Sequence, residues 1–385
     1  MITKAFSFIL PTDIRYGKDI TSDLTILLKD REINQVLLVT DPGILKTTLV
    51  DQVVAYIKTA GAQVTIFSDV SPNPRDTEVT KGASIGIHAN AEAIVAVGGG
   101  SPMDCAKSIN VLMSLKKDSI KEFEGSGKVP RPLKPYFAIP TTAGTGSEVT
   151  WSSVINDTEN QYKMTIKSTY MAATVALVDP ALTTSVPAAI TASTGMDALT
   201  HAIEAFTAKN ANPISDALAL QSVELITQSL LNAYRHGDDM QARDQMMMGS
   251  MLGGLAFSHS DVASVHCMAE ALGGSLDLPH GLCNSILLPY VMEFNAPAAI
   301  TRFARLAKAM GLTFDEENEG ADLAVQFVKD LASSVELPQL NELAVTPEDF
   351  PRMAAIAMKN GSTPSNAREM TEIDYLNLFQ RAYQG

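Results

Sequence analysis

Residues 93–104 read AIVAVGGGSPMD, an apolar run followed directly by three glycines. The apolar run, rich in Ala, Ile and Val, predicts a buried strand from Ala93 to Val97. Ser101 and Pro102 suit the cap and the first turn of a helix that continues to about Leu115. The glycines let a ligand approach the backbone, and the free N–H groups of such a helix start bind anions, for example a dinucleotide pyrophosphate. A tight turn without a ligand explains the same residues equally well.

The sequence on either side of this turn alternates strand-like and helix-like segments. Alternation of this kind predicts βαβ units and a mainly parallel sheet. The predicted strands are Gln35–Val39, Val64–Phe67, Ala93–Val97 and Tyr136–Ile139, with helices at Leu45–Thr59 and Thr77–Asn90 between them.

From about Ser185 onward the pattern changes to apolar residues spaced three and four apart, which predicts helices only. The segments are 191–208, 215–234, 239–258, 263–273, 298–309 and 321–331. We therefore predict an α/β domain over residues 1–185 and an all-α domain over residues 186–385.

Composition excludes several classes of protein. The 385 residues contain 29 Lys and Arg against 43 Asp and Glu, giving a net charge of −14, and 46% are hydrophobic. This content is that of a folded protein, and the acidity argues against binding nucleic acid, which depends on basic side chains. Three cysteines, no signal-peptide pattern in residues 1–13 and no run of about 18 apolar residues predict a cytoplasmic protein without a membrane segment.

A second loop and an acidic residue add to the case for a dinucleotide. Residues 140–148, PTTAGTGSE, follow the strand that ends at Ile139 and are rich in hydroxyls and glycines. Asp41 ends the strand Gln35–Val39, where a carboxylate can bind an adenosine ribose and repel the extra phosphate of NADP. An ordinary Asp-Pro-Gly turn is the alternative. Asp41 precedes the glycines by more than fifty residues, whereas the standard Rossmann fingerprint has the acid after them, so the strand order is not the standard one.

The helical half contains a candidate metal site. Asp197 and His201 are four residues apart and share one helix face, and His266 and Glu270 have the same spacing on a second helix. His280 follows in what we interpret as a turn, LPHG. Imidazole nitrogens with a carboxylate suit Fe²⁺ or Zn²⁺. A hydrogen-bonded Asp–His pair is the alternative for Asp197 and His201.

Four motifs together resemble the iron-containing (group III) alcohol dehydrogenases: GGGSPMD at 98–104, PTTAGTGSEVT at 140–150, GMDALTHAIEAF at 195–206 and LPHGLCNSILLPYVM at 278–292. The resemblance extends to about Asn295. It implies a Rossmann-like domain of non-standard strand order that binds the dinucleotide, an all-helical domain, and an active site in the cleft between them.

Matching positions carry over the family's site residues. The resemblance implies that the metal ligands are Asp197, His201, His266 and His280. It implies cofactor contacts at Asp41, Asn73, Gly98, Gly99, Gly100, Ser101, Asp104, Thr141, Thr142, Thr145 and Lys163. It further implies that Phe257 lines the substrate pocket, and we expect Glu270 and His280 to take part in catalysis.

The sequence departs from the family pattern at two positions. Glu270 stands where the family commonly has a second histidine, and Tyr290 replaces the histidine of Leu-Pro-His-Val-Met. Glu270 is a candidate proton relay, an added ligand, an attractor of a polar or cationic substrate, or a partner that orients an imidazole.

The resemblance implies a metal-dependent NAD(H) alcohol dehydrogenase that interconverts a small primary alcohol or diol and its aldehyde, with Fe²⁺ as the metal. NADP and Zn²⁺ are the alternatives. The competing activities are a Zn²⁺ polyol dehydrogenase of the glycerol type, a dehydroquinate-synthase-like lyase and a non-catalytic binding protein. Residues 266–284 have no Lys or Arg for a phosphorylated substrate, which argues against the lyase. We expect a homodimer or larger homo-oligomer.

Overall fold

A computed structural model of the chain describes residues 5–160 and 162–385. These residues form two compact units. One unit is α/β and contains residues 9–142 and 147–183, and the other is helical and contains residues 184–385 together with 143–146 and the described residues up to Phe8. The sequence-based division at residue 185 stays a prediction about domains.

The α/β unit is built on a parallel sheet. In the described residues this sheet has six strands in the order β1-β9-β6-β4-β2-β3, every neighbouring pair parallel. A smaller sheet has the order β5-β8-β7, with β7 and β8 antiparallel. The strands are β1 Asp13–Tyr16, β2 Gln35–Val39, β3 Gln63–Phe67, β4 Ala93–Gly98, β5 Gly125–Ser126, β6 Tyr136–Pro140, β7 Ser152–Asp157, β8 Tyr162–Lys167 and β9 Val175–Val178.

Helices cover both faces of the parallel sheet. Alternate residues of β2 enter separate apolar clusters: Leu37 and Val39 belong to one, and Val36 and Leu38 to the other. A strand buried on both faces requires this near-continuous apolar sequence. The helices of this unit are α1 Leu24–Asp30, α2 Thr48–Thr59, α3 Asp76–His88 and α4 Gly100–Leu115.

The strand order creates a crevice between β2 and β4. After β2 the chain forms β3 on one side, then crosses back to form β4 on the other side of β2. Open α/β sheets bind ligands at such a switch point, beyond the carboxyl ends of the strands. The Thr40 hydroxyl donates to the carbonyl oxygen of Val97 at 2.8 Å and joins the two strand ends there.

The helical unit surrounds one long buried helix, α5, which packs against α6, α7 and α9. Every residue of α5 from Gly195 to Thr207 is buried. The helices are α5 Ala188–Thr207, α6 Pro213–Arg235, α7 Met240–Ser258, α8 Ser264–Leu276, α9 His280–Asn295, α10 Ile300–Ala309, α11 Glu317–Ser334, α12 Phe350–Lys359 and α13 Glu372–Gln384. The predicted fold class, a mainly parallel α/β unit followed by a helical one, is confirmed.

Two local predictions are wrong. His280 does not lie in a turn but is the first residue of α9. Gly281, which suggested the turn, instead permits close packing, because a Cβ there would lie 2.8 Å from the Ser193 carbonyl oxygen of α5. Ser101 does not cap α4, which begins at Gly100, and its hydroxyl donates to the carbonyl oxygen of Pro72 instead.

Candidate active site

Three helices bring the four predicted metal ligands together. Asp197 and His201 lie one turn apart on α5, His266 lies in the first turn of α8, and His280 begins α9. Each of the four offers one ligand atom, and all four atoms lie within 4.8 Å of one another. Asp197, His201 and His266 are 1%, 5% and 4% exposed, and His280 is partly exposed. A buried, convergent set of this kind is a candidate metal centre; the ligand roles stay predictions.

Asn284 lies among these side chains, one turn after His280 on α9, and is fully buried. Its Nδ2 atom is 2.7 Å from Asp197 Oδ1 and 3.1 Å from Nε2 of both His266 and His280. An amide nitrogen has only two hydrogens, so it cannot donate to all three acceptors. Around Asn284 Nδ2 there are therefore more hydrogen-bond acceptors than hydrogens to donate to them.

Burial and neighbouring charges lower the pKa of two of these groups, burial dominating for one and the neighbouring groups for the other. Burial lowers the pKa of His201 to about 4, so its imidazole is neutral near pH 7 and keeps a lone pair. Burial opposes the charge of Asp197 as well, but His201, His280, His266 and the Asn284 amide outweigh it and lower the pKa of the carboxyl. The site thus holds a carboxylate and a neutral imidazole, which are the forms that bind metals.

Phe257 and Glu270 lie near the four candidate ligands. Phe257 contacts one of them, and Glu270 is on the same helix as another. The Phe257 ring stacks on the His201 imidazole, with 4.5 Å between ring centres. Glu270 lies one turn after His266 on α8, is partly exposed, and accepts a hydrogen bond from Asn360 Nδ2 at 2.6 Å.

The donor set fits the metal that the sequence suggested. Three imidazoles and one carboxylate are suitable first-row transition-metal ligands. Asn284 Oδ1 is buried without a hydrogen-bond partner in the described residues. Together with the surplus of acceptors, this is the hydrogen bonding of a site that a cation completes.

In the α/β unit the predicted cofactor residues gather around the start of α4. A Cβ on Gly98 would lie 3.4 Å from Asp41 Oδ2, and a Cβ on Gly99 would lie 3.1 Å from Thr142 Oγ1. Asp41 Oδ1 accepts from the N–H groups of Gly43 and Ile44 at 2.7 and 3.0 Å. The strand order explains the sequence misfit, because β2 and β4 are adjacent despite their separation along the chain.

Two further cofactor candidates contact each other. Lys163 Nζ, on β8, donates to Asn73 Oδ1 at 3.0 Å. Asn73 follows Pro72, whose carbonyl oxygen accepts from Ser101, so this loop lies at the start of α4. Thr141 is buried after β6, and Thr145 belongs to the segment 143–146 of the helical unit.

Asp104 anchors the second loop. Its carboxylate accepts from the Ser147 hydroxyl at 2.7 Å and from the Val154 N–H at 3.0 Å. The fully buried Lys107, one turn later, donates to Ser147 and to Thr150 at 2.8 and 3.0 Å. These contacts hold the residues that follow the glycine-rich loop 140–146.

Sequence reasoning missed several residues of these two regions. Glu204 accepts from His266 Nδ1 at 2.6 Å, and Asn284 contacts three of the four predicted ligands. Glu204 follows Asp197 by seven residues and His201 by three on a largely apolar helix, a face periodicity that could have identified it. Nothing in the sequence indicated that Lys107 and Glu148 are buried.

Comparisons with known proteins agree with the geometry. Residues 11–180 match the family model for iron-containing alcohol dehydrogenase, and residues 191–383 match the C-terminal model of the same family. The chain is 38% identical to the 1,3-propanediol dehydrogenase of Klebsiella pneumoniae, covering 100% of both chains. It is 37% identical to the choline dehydrogenase of Bacillus subtilis (strain 168), covering 99% of this chain and 96% of the relative.

A solved structure titled as a 1,3-propanediol oxidoreductase is 38% identical and superposes with a TM-score of 0.96, covering 98% of this chain and 100% of that one. Among the described residues, no helix is long and apolar enough to span a membrane. The family uses NAD(H) and Fe²⁺. The chain therefore belongs to the iron-containing alcohol dehydrogenase family and is a metal-dependent alcohol dehydrogenase that acts on a small-molecule alcohol.

Proposed function

We propose that this chain interconverts a small primary alcohol or diol and its aldehyde, with NAD(H) held at the start of α4 and Fe²⁺ held by Asp197, His201, His266 and His280. The observation that carries the proposal is the convergence of these four ligand atoms within 4.8 Å, with three of the four side chains buried. Bound there, a divalent metal would supply Lewis-acid chemistry and NAD(H) would supply hydride-transfer chemistry for the alcohol or its aldehyde.

The side chains around the cluster would bind and orient the substrate. The stacked Phe257 ring would exclude water beside His201 and pack against the carbon atoms of a small alcohol. Asp197 and the neutral His201 would hold the metal in place without needing a proton to leave His201 near pH 7. The buried Asn284 amide would position Asp197 through its hydrogen bond.

Metal analysis of purified variants tests the ligand set. We expect Asp197→Ala and His266→Ala to lose bound iron and NAD-linked alcohol oxidation together, by elemental analysis and by a screen of short alcohols, diols and aldehydes. His236→Ala, an exposed histidine of the same unit, is the matched control and should keep both. A metal-free Asp197→Ala variant with full activity would overturn the proposal, and zinc in the active parent protein would replace iron as its metal.

Glu270 is the residue that we propose to determine which alcohols are accepted. Its carboxylate is held by Asn360 and lies one turn from His266, where it can relay the substrate proton or attract a polar or cationic group. One relative is a choline dehydrogenase, and choline is a cationic alcohol.

Glu270→Gln separates these two roles, because Gln keeps the shape and removes the charge. Loss of a charge contact should raise KM about tenfold for a trimethylammonium alcohol and leave neutral alcohols unchanged. Loss of a proton relay should instead lower kcat for every alcohol and shift its pH profile. Glu224→Gln, an exposed carboxylate on α6, is the control. Parent-like kinetics on all substrates would remove Glu270 from the site.

We also propose a cytoplasmic homodimer or larger homo-oligomer. The three cysteines are buried and form no disulfide, as in proteins of a reducing compartment. Phe6, Ile9 and Leu10 are 45%, 43% and 51% exposed, which is typical of residues at a contact surface. Light scattering during size-exclusion chromatography should give at least twice the chain mass, and a monomer at micromolar concentration would contradict this.

A further inference from the structure

Glu204 is a buried carboxylate to which three donors from one segment converge. It lies on α5 and is 3% exposed. Its Oε2 atom accepts from the Ala263 N–H at 2.9 Å and is 2.6 Å from His266 Nδ1, and its Oε1 atom accepts from the Val265 N–H at 2.6 Å. All three donors lie within residues 263–266, at the start of α8.

The contacts to Ala263 and Val265 complete the N-terminus of α8. The residue at the cap position is Ala263, which has no side chain able to accept a hydrogen bond. Unpaired N–H groups at a buried helix start are costly, and a carboxylate also interacts favourably with the positive end of the helix dipole. Glu204 therefore replaces the missing cap from a separate helix.

The contact to His266 determines which imidazole nitrogen carries the hydrogen. Both oxygens of the Glu204 carboxylate already accept from backbone N–H groups, so Nδ1 is the donor in the 2.6 Å contact. In the neutral ring, the form that binds a metal, Nε2 then keeps its lone pair. This atom lies on the side of the cluster, 3.1 Å from Asn284 Nδ2. Histidine ligands of metals commonly have such a carboxylate partner, which orients the ring and increases its basicity.

We propose that Glu204 is a positioning residue for the metal centre: by binding the start of α8 and His266 Nδ1 together, it fixes the ring orientation and the tautomer of the ligand that α8 contributes. This inference rests on the proposed function of the cluster. Glu204 contacts neither substrate nor metal and acts through His266. The same carboxylate also caps α8.

Glu204→Gln replaces one of the two acceptor oxygens by an NH₂ group, which only donates. With the NH₂ group at the position of Oε2 it donates towards Nδ1 and favours the tautomer with hydrogen on Nε2, while the carbonyl oxygen at the position of Oε1 still accepts from the Val265 N–H. The dissociation constants of metal-free protein for Co²⁺ and Zn²⁺ are measured by chelator competition, with the Co²⁺ absorption spectrum as a report of ligand geometry. We expect about 10- to 100-fold weaker binding and an altered spectrum.

Asp239→Asn is the matched control. Asp239 caps α7 by accepting from the N–H groups of Gln241 and Ala242 at 2.9 and 3.1 Å, and its other carboxylate oxygen accepts from Asn232 Nδ2 of α6. The substitution removes a cap charge in the same way and should leave metal affinity unchanged. Equal losses in the two variants, or parent-like affinity and spectrum in a folded Glu204→Gln, would overturn the proposal.

Glu204→Asp covers the case in which the Gln variant does not fold. It keeps the charge and the N–H acceptors but is one methylene shorter, so it cannot reach Ala263, Val265 and His266 at once. We expect a folded protein with weakened Co²⁺ binding, and parent-like binding would contradict the proposal. If the parent itself binds neither Co²⁺ nor Zn²⁺ nor Fe²⁺, the proposed function fails rather than this inference.

Discussion

Asp41 Oδ1 accepts hydrogen bonds from the N–H groups of Gly43 and Ile44 in its own turn, and Asp41 Oδ2 lies beside Gly98 at the end of β4. We predict that Asp41→Asn raises the ratio of kcat/KM with NADP to that with NAD by about tenfold or more. The physical reason is the loss of charge repulsion against a 2′-phosphate, since about 1.4 kcal/mol corresponds to a factor of ten.

Asn keeps an acceptor for the Gly43 and Ile44 N–H groups, so this change tests charge without removing the turn. Steady-state kinetics with both cofactors is the measurement. Asp51→Asn, an exposed carboxylate on α2, is the control and should leave the ratio unchanged. The same ratio in Asp41→Asn as in the parent would remove Asp41 from cofactor selection.

Glu148 is buried beside the second loop, and its burial raises the pKa of its carboxyl to about 7. A raised folded pKa means that the folded state holds its proton to higher pH than the unfolded state does. Its contribution to stability is therefore fully present below about pH 4.5 and is lost as the pH rises to about 7. Above about pH 7 the Glu148 carboxyl is ionised in the folded state, and the stabilising contribution is absent.

We predict that Glu148→Gln removes this pH dependence. Between pH 5 and 7 the stability of the variant relative to the parent should rise by roughly 2 to 3 kcal/mol and then level off. Thermal and denaturant unfolding at several pH values is the measurement. Glu32→Gln, an exposed carboxylate in the same unit, should show no such trend. A pH-independent difference for Glu148→Gln would contradict the raised pKa.

At the scale of elements, Gly146 packs a loop directly on a helix. Its φ is +61°, and a Cβ there would lie 2.7 Å from Gly254 Cα of α7. We predict that Gly146→Ala destabilises the helical unit by about 1 to 2 kcal/mol for the backbone conformation and roughly 1 to 3 kcal/mol more for the overlap.

Gly311→Ala isolates the conformational part of this cost. Gly311 belongs to the same unit and has φ +80°, and a Cβ there would meet no atom within 4 Å. Chemical denaturation should show a clearly larger loss for Gly146→Ala than for Gly311→Ala. Equal losses would mean that the loop moves away from α7 at little cost.

The helices and strands differ in how well the sequence predicts them. The predicted cores of α5, α6 and α7 agree with the structure, because each keeps an apolar face over many turns. The strands β1, β7 and β8 were missed because DIRY, SSVIND and YKMTIK lack the continuous apolar run by which β2 and β4 were predicted, and β9 was missed although VALV is apolar. The start of α9 was missed because Pro279 and Gly281 are typical of a turn, and only packing against α5 explains the glycine.

At the scale of the whole molecule, metal binding should stabilise one unit more than the other. Three helices supply the proposed ligands, so a metal at 100 times its dissociation constant adds about 2.7 kcal/mol to the helical unit. We predict that chelation lowers amide hydrogen-exchange protection in α5, α8 and α9 and leaves β2, β4 and β6 unchanged. Re-addition of Fe²⁺ should restore it. Uniform loss across both units, or none, would contradict a metal site confined to these helices.

The amino-acid sequence by itself determined the fold class, the family and the set of metal-ligand candidates. These depend on local apolar patterns and on short motifs, and both are properties of neighbouring residues. Only the tertiary structure showed that Asp41 lies beside Gly98, that Asn284 lies among the ligand candidates and that Glu204 binds the start of α8. The reason is physical: these contacts join residues up to 87 positions apart, and the packing of whole strands and helices, not local preference, brings them together.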